Sequence, residues 1–110
     1  MSSPFDIDST LAALADPHRR RIVELLRDKP RRAGELADEV GLNPSALSRH
    51  LRILKSSHMI TESHPDFDAR VRIYRLSSGP MDGLKVWLDE TERTWAEQLQ
   101  SFKERVEGGS

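Results

Sequence analysis

The sequence predicts a mainly α-helical protein with one β-hairpin and a long final helix. Three observations support this fold class. Asp16-Pro17 and Asn43-Pro44 each combine a helix N-cap with a proline that the first helical turn tolerates. Two β-prone runs flank the turn-rich segment 65–69. Apolar residues then recur at helical spacing from Leu84 to Val106, with no proline between them.

Composition bounds the class of protein. The chain has 110 residues, 36% hydrophobic and 32% charged, which predicts one domain with a thin core that gains from a homo-oligomeric partner. The absence of cysteine excludes disulfides, thiolate metal sites and cysteine nucleophiles. Because there is neither a long apolar run nor a secretory signal, we expect a cytoplasmic protein without a membrane span.

The net charge of -1 conceals an uneven distribution along the chain. Residues 17–60 hold ten Lys and Arg against five acids, whereas residues 1–16 and 80–110 are acidic. A basic segment of this kind can bind a polyanion even when the net charge is near zero. A solvated helix surface is the alternative interpretation.

The first four helices follow from caps and apolar spacing. A short helix is predicted over about 8–14, and a second helix begins at Asp16-Pro17 and ends before Pro30. A third covers about 33–40 with Gly41 as its C-cap, and the fourth begins at Asn43-Pro44. Two short helices joined by a glycine-containing turn predict a helix-turn-helix over about 33–57.

The fourth helix has two distinct faces. Leu47, Leu51 and Leu54 form an apolar stripe that suits a core. The polar face carries guanidinium and hydroxyl groups, which suit guanine edges and phosphate oxygens in the DNA major groove. An ordinary amphipathic surface helix is the competing interpretation. The predicted DNA-binding residues of this helix and its cap are Asn43, Ser45, Ser48, Arg49 and Arg52.

The hairpin that follows is predicted to be a wing over about 59–76. Its strands cover about 59–64 and 70–76, so Arg70 and Arg72 are predicted on the second strand. Wings usually contact the DNA backbone or the minor groove. Since Asp66 and Asp68 at the tip would repel phosphate, we expect the contact to come from these strand arginines.

The final helix is predicted over about 81–107. Its apolar stripe is longer than so small a domain can cover, so we expect it to form a dimer interface together with the helix at 8–14. Folding back over its own core is the alternative, and a cofactor site is the least favoured interpretation. The expected interface residues are Leu11, Leu84, Leu88, Trp95, Leu99 and Phe102.

Three stretches carry a family resemblance: LAALADPHRRRI at 11–22, GELA at 34–37 and PSALSRHLRIL at 44–54. With the strand end Tyr74-Arg75-Leu76, they resemble the ArsR-type winged helix-turn-helix regulators over about residues 9–77. The final helix resembles the branch of that family without the cysteine metal box. The resemblance implies a homodimeric transcriptional regulator, usually a repressor, that binds a palindromic operator. A winged helix that docks proteins without binding DNA is the alternative function.

Two departures from the family concern metal sensing. Ala37 and Glu39 occupy the positions of the family's thiolate box, and no histidine follows His64 to supply a site on the last helix. His64 with Asp66 and Asp68 could be read as metal ligands, but a solvated turn is favoured. We therefore expect no metal and no cofactor. No catalytic constellation is present either, so we expect no enzyme activity.

Three single residues carry further expectations. His50 lies between the two faces of the fourth helix, where packing or hydrogen bonding is favoured over a DNA contact. His58 stands where the family usually has glycine, so we expect a positive φ there. Arg32 replaces the family's Thr or Ser at the cap of the third helix and cannot accept the cap's N–H bonds. We expect Arg32 to contact DNA phosphate, with neutral drift as the alternative.

Overall fold

The computed structural model describes residues 6–108, which form five helices and three strands. The predicted mainly helical fold with a wing and a long last helix is confirmed, and a third short strand is added. In chain order the elements are α1 (Ile7–Leu14), α2 (Pro17–Asp28), β1 (Arg31–Arg32), α3 (Ala33–Val40), α4 (Pro44–Ser56), β2 (Ile60–Ser63), β3 (Ile73–Leu76) and α5 (Gly79–Gly108).

The predicted caps set the helix boundaries. The Asp16 carboxylate accepts the backbone N–H groups of His18 and Arg19 at 2.8 and 3.2 Å, so α2 begins at Pro17. The Asn43 side chain accepts the Ala46 N–H at 2.8 Å in the same way at α4. These bonds satisfy donors that the first turn of a helix leaves without partners.

Two arginines close the C-terminus of α1, and the sequence analysis did not predict their role. Arg19 donates from Nε to the Ala13 carbonyl at 2.7 Å and from Nη2 to the Ala12 carbonyl at 3.2 Å. Arg20 donates from Nη1 to the Leu14 carbonyl at 2.8 Å. Because the last carbonyls of a helix lack partners within it, these bonds anchor α1 to α2.

The chain leaves α4 through a left-handed residue. His58 has a φ of 63°, its N–H donates to the Lys55 carbonyl, and the Met59 N–H donates to the Leu54 carbonyl, both at 3.0 Å. This pair of bonds is the Schellman arrangement that ends many helices. The positive φ predicted at His58 is confirmed.

The sheet is antiparallel with strand order β1-β3-β2. Arg31 pairs with Tyr74, and Ile60 pairs with Leu76. β3 starts at Ile73, so the prediction that Arg70 and Arg72 lie on this strand was wrong. The chain before β3 is held in local turn bonds instead, since Asp68 accepts the backbone N–H groups of Arg70 and Val71 at 2.9 and 3.2 Å.

The core lies between the first four helices and the sheet. Ile22, Leu36, Leu54 and Met59 are completely buried at its centre. Tyr74 of β3 is also buried, which brings the wing against the helices. The apolar face predicted for α4 is part of this core, since Leu47, Leu51 and Leu54 are all buried.

Only the start of α5 joins this core. Pro80 and Leu84 are its buried residues, and α5 packs there against α1. The placement of Leu84 on a dimer interface is therefore corrected, because its side chain is already covered within the chain. None of the helices within residues 6–108 is long and apolar enough to span a membrane.

Candidate nucleic-acid interface

The polar face of α4 forms one continuous shallow surface. It combines the cap residue with the first three turns of the helix and lies opposite the buried leucines. All five predicted residues of this helix and its cap are brought together here, with Pro44 beside them. The surface is lined by Asn43, Pro44, Ser45, Ser48, Arg49 and Arg52.

The two arginines of this surface are available to a ligand. Arg49 and Arg52 are exposed, and neither forms an ion pair with any group in residues 6–108. A guanidinium presents a planar fork of donors that matches the paired acceptors of guanine and the oxygens of phosphate. The start of α4 therefore has the chemistry needed to read a base edge.

The predicted wing arginines form ion pairs with carboxylates of the chain, but only at the surface. Arg70 Nε lies 3.2 Å from Asp68 Oδ1, and its side chain is 93% exposed. Arg72 Nε lies 3.7 Å from Glu62 Oε1 and is also exposed. Because exposed ion pairs contribute little free energy, either arginine can exchange its carboxylate for a phosphate at small cost.

Glu62 joins the end of α4 to the wing, a role that the sequence analysis missed. Its carboxylate accepts a bond from Lys55 Nζ at 2.8 Å and from the Tyr74 hydroxyl at 2.9 Å. The Lys55 bond chiefly, and the Tyr74 bond after it, hold the pKa of Glu62 below its ordinary value despite partial burial. Glu62 thus ties the end of α4 to the wing, which also packs against the helices through the buried Tyr74.

Arg32 lies on the wing side of this surface. It is the N-cap of α3, and its side chain makes no cap bond, whereas Glu35 accepts the Arg32 backbone N–H at 3.5 Å. The expectation of an unsatisfied cap is confirmed. Arg32 pairs with Ile73 in the sheet, and its charge adds to the Arg70 bonds that lower the pKa of Asp68.

A second polar cluster lies where α2 meets α4. His50 Nδ1 is 3.2 Å from Arg19 Nη1 and 3.9 Å from Asp16 Oδ1, while His18 Nδ1 is 3.7 Å from Asp16 Oδ1. Burial chiefly lowers the pKa of His50, and the Arg19 charge adds to this, although Asp16 opposes it. His50 therefore has the internal hydrogen-bonding position favoured by the sequence analysis.

The candidate metal ligands that the structure brings together differ from those considered in the sequence analysis. His64 Nδ1 lies 2.9 Å from the Val71 carbonyl, and the segment around it is a turn. Within residues 6–108, the one group of three metal-ligand side chains that converges is Asp16, His18 and His50, whose donor atoms lie within 4.8 Å of one another. The sequence offered no spacing signal for it, because His50 is distant along the chain.

The remaining residues of the expected dimer interface are exposed. They form an apolar stripe along α5, continued by one residue of α1, and each is between 43% and 62% exposed. The stripe consists of these five remaining residues, Leu11, Leu88, Trp95, Leu99 and Phe102, together with Val106.

Comparison with known proteins agrees with this arrangement. Residues 16–62 match the model of the bacterial regulatory protein arsR family. The HTH-type transcriptional regulator Rv2034 of Mycobacterium tuberculosis is 31% identical over 107 residues, covering 97% of this chain and 94% of that protein. The transcriptional repressor SdpR of Bacillus subtilis is 32% identical over 56 residues, or 51% of this chain and 62% of the repressor.

A solved structure extends the likeness to three dimensions. The crystal structure of the ArsR family transcriptional regulator RHA00566 superposes with a TM-score of 0.74 at 27% sequence identity. The match covers 82% of this chain and 96% of that one.

Proposed function

The chain belongs to the ArsR family of bacterial regulatory proteins, and from this premise we propose that it is a homodimeric repressor of a palindromic operator. Its function is that of a DNA-binding transcriptional regulator and not of an enzyme. The proposal adds the symmetry of the complex, the residues that make the contacts and the direction of regulation.

The exposed face at the start of α4 carries the proposal. Arg49 and Ser48 occupy the early, accessible part of the helix, where they can reach base edges in the major groove. Arg52 lies one turn further on and contacts phosphate, as Arg70 and Arg72 do from the wing. The contacts to phosphate position the protein, and those to bases give its sequence preference.

The exposed stripe on α5 supports the symmetry. Pairing two copies places the two α4 helices about 34 Å apart, in successive major grooves on one side of the duplex. A two-fold dimer reads an inverted repeat, so the operator is an imperfect palindrome. A bacterial operator is in the cytoplasm, and the proposal places the protein there.

Selection of bound sequences from a random duplex pool tests the proposal. The wild type should enrich an inverted repeat whose half-sites are about one helical turn apart. Arg49→Ala should cost about 1–3 kcal/mol of binding free energy and relax the preference at one position of each half-site. Arg70→Ala is the matched control, because losing a phosphate contact should weaken all sequences alike and flatten the salt dependence.

Two results would contradict these assignments. If Arg49→Ala leaves the selected sequence unchanged, Arg49 does not read a base. If the wild type enriches no sequence and does not bind heparin at low salt, the winged helix serves as a protein-docking module and the operator proposal fails.

A further inference from the structure

The cluster formed by Asp16, His18 and His50 brings together side chains from two different helices. Asp16 and His18 belong to the cap and first turn of α2, whereas His50 lies in the middle of α4. Asp16 Oδ1 lies 3.7 Å from His18 Nδ1 and 3.9 Å from His50 Nδ1, and the two imidazole rings are 5.5 Å apart. The DNA-binding role of α4 uses none of these three side chains.

These distances are close to those required around a metal ion. Ligand atoms about 2.0–2.2 Å from a tetrahedral ion are separated from each other by roughly 3.4 Å. The donor atoms of the cluster lie within 4.8 Å of one another, so side-chain rotations that shorten these separations by up to about 1.4 Å bring them into range. His18 is 48% exposed, which leaves an entry path and an open coordination position facing solvent.

The donor set selects the class of ion. Two imidazole nitrogens and one carboxylate oxygen suit zinc and its neighbours nickel and cobalt, whereas calcium and magnesium prefer oxygen ligands alone. Three protein ligands with a fourth position open to water is also a coordination pattern that zinc adopts in proteins.

Arg19 is the group that opposes an ion here, since its Nη1 lies 3.2 Å from His50 Nδ1. If Nη1 donates that bond, His50 Nδ1 carries a lone pair, which is the form that binds a metal. Because the guanidinium is planar and rigid, Nη1 leaves His50 only if the whole group rotates, which weakens its bonds to the Ala13 and Ala12 carbonyls. Binding of the ion therefore replaces one donor on His50 and loosens the attachment of Arg19 to α1.

We propose that Asp16, His18 and His50 form a binding site for one divalent transition-metal ion of the zinc class. The ion joins the start of α2 to the middle of α4, directly beside Arg49. Its binding adds positive charge behind the polar face of α4 and fixes the position of that helix on the core. The proposal depends neither on the sequence of the operator nor on formation of the dimer.

Direct binding to the untagged, metal-free full chain tests the site. Titration with zinc chloride by calorimetry should give one ion per chain, and cobalt should produce a visible absorption band that zinc abolishes. Asp16→Asn removes the carboxylate yet keeps a side chain that caps helices equally well. His18→Gln removes an exposed imidazole. Each change should weaken zinc binding at least about tenfold, the scale at which metal sites respond to loss of supporting groups.

His64→Gln is the matched control, because it also removes an exposed histidine but lies in the wing. Its zinc affinity should equal that of the wild type. The proposal is overturned if the wild type binds no zinc at micromolar concentrations. It is equally overturned if Asp16→Asn and His18→Gln bind zinc as tightly as His64→Gln does.

Discussion

Arg19 and Arg49 are chemically identical and have opposite roles in this protein. Arg19 directs three guanidinium nitrogens inward, to two carbonyls of α1 and to His50. Arg49 is exposed on the face of α4 and has no ion-pair partner within residues 6–108. The positive charge of residues 17–60 therefore has a structural part and a part available to DNA, and composition alone does not separate them.

The structure shows why Arg32 lowers the stability of the α3 N-terminus. Its side chain leaves the α3 cap unsatisfied, and its charge opposes the positive end of the helix. Arg32→Thr should therefore raise the free energy of unfolding by about 0.5–2 kcal/mol, measured by urea denaturation. If Arg32 contacts phosphate, the same variant should bind the operator more weakly and with a shallower salt dependence.

Arg32→Ala separates the cap from the charge. It should lose operator affinity to the same extent as Arg32→Thr, but without the gain in stability, since alanine is a poor cap. Unchanged operator binding in both variants would identify Arg32 as neutral drift. A lower stability for Arg32→Thr would contradict the capping argument itself.

At the scale of elements, the helices were predictable because their limits depend on neighbouring residues. Asp16-Pro17, Asn43-Pro44 and Gly41 place the ends of α2, α3 and α4 where the structure has them. The strands were less predictable because their limits depend on distant partners. β1 has only two residues and exists through its pairing of Arg31 with Tyr74, which no local pattern reveals.

The wing and the cluster of Asp16, His18 and His50 show the same limit. Arg70, Arg72 and Arg75 lie in a β-prone run, yet β3 starts only at Ile73, and turn bonds to Asp68 hold the backbone of Arg70 and Val71 outside the sheet. The positions of Glu62 and His50 likewise depend on packing between elements. The sequence predicted the exposed polar surface of α4, whose residues are adjacent in one helix, but not the contacts that hold that helix in place.

The link between α4 and the wing predicts a dependence of stability on pH. In the folded protein the pKa of Glu62 lies below its ordinary value of 4.5, chiefly because Lys55 donates to the carboxylate. The bond therefore stabilises the fold fully above that value and is lost as the pH falls through the lowered pKa. Glu62→Gln should be less stable than the wild type at pH 7, and the difference should close as the solution is acidified.

Urea unfolding at pH values from 7 to 3 measures this difference. Glu97→Gln is a suitable control, because it removes the same charge from an exposed position on α5, away from the wing. Its stability should follow that of the wild type at every pH. A Glu62→Gln curve parallel to the wild-type curve down to pH 3 would show that the Lys55 bond does not contribute to stability.

At the scale of the whole molecule, the chain is an elongated body measuring 72 × 32 × 21 Å. Its length comes from α5, whose start packs on α1 while the remainder leaves the core. Trp95, Leu99 and Phe102 are all more than half exposed on that free part. A long helix with an apolar stripe on one face is stable in water when a second surface covers the stripe. A second copy of the chain provides an equal stripe, related by two-fold symmetry.

Replacing Trp95 and Phe102 together by aspartate should therefore give a monomer. Sedimentation velocity measures the change in mass, and operator binding should weaken because each half-site is then bound separately. Val86→Asp is the control: Val86 is also exposed on α5 but lies about 180° around the helix from the stripe, so the dimer should persist. If the double variant sediments as a dimer, the stripe is not the interface. If the wild type is itself a monomer that binds DNA, another protein covers α5 and the two-fold operator must be abandoned.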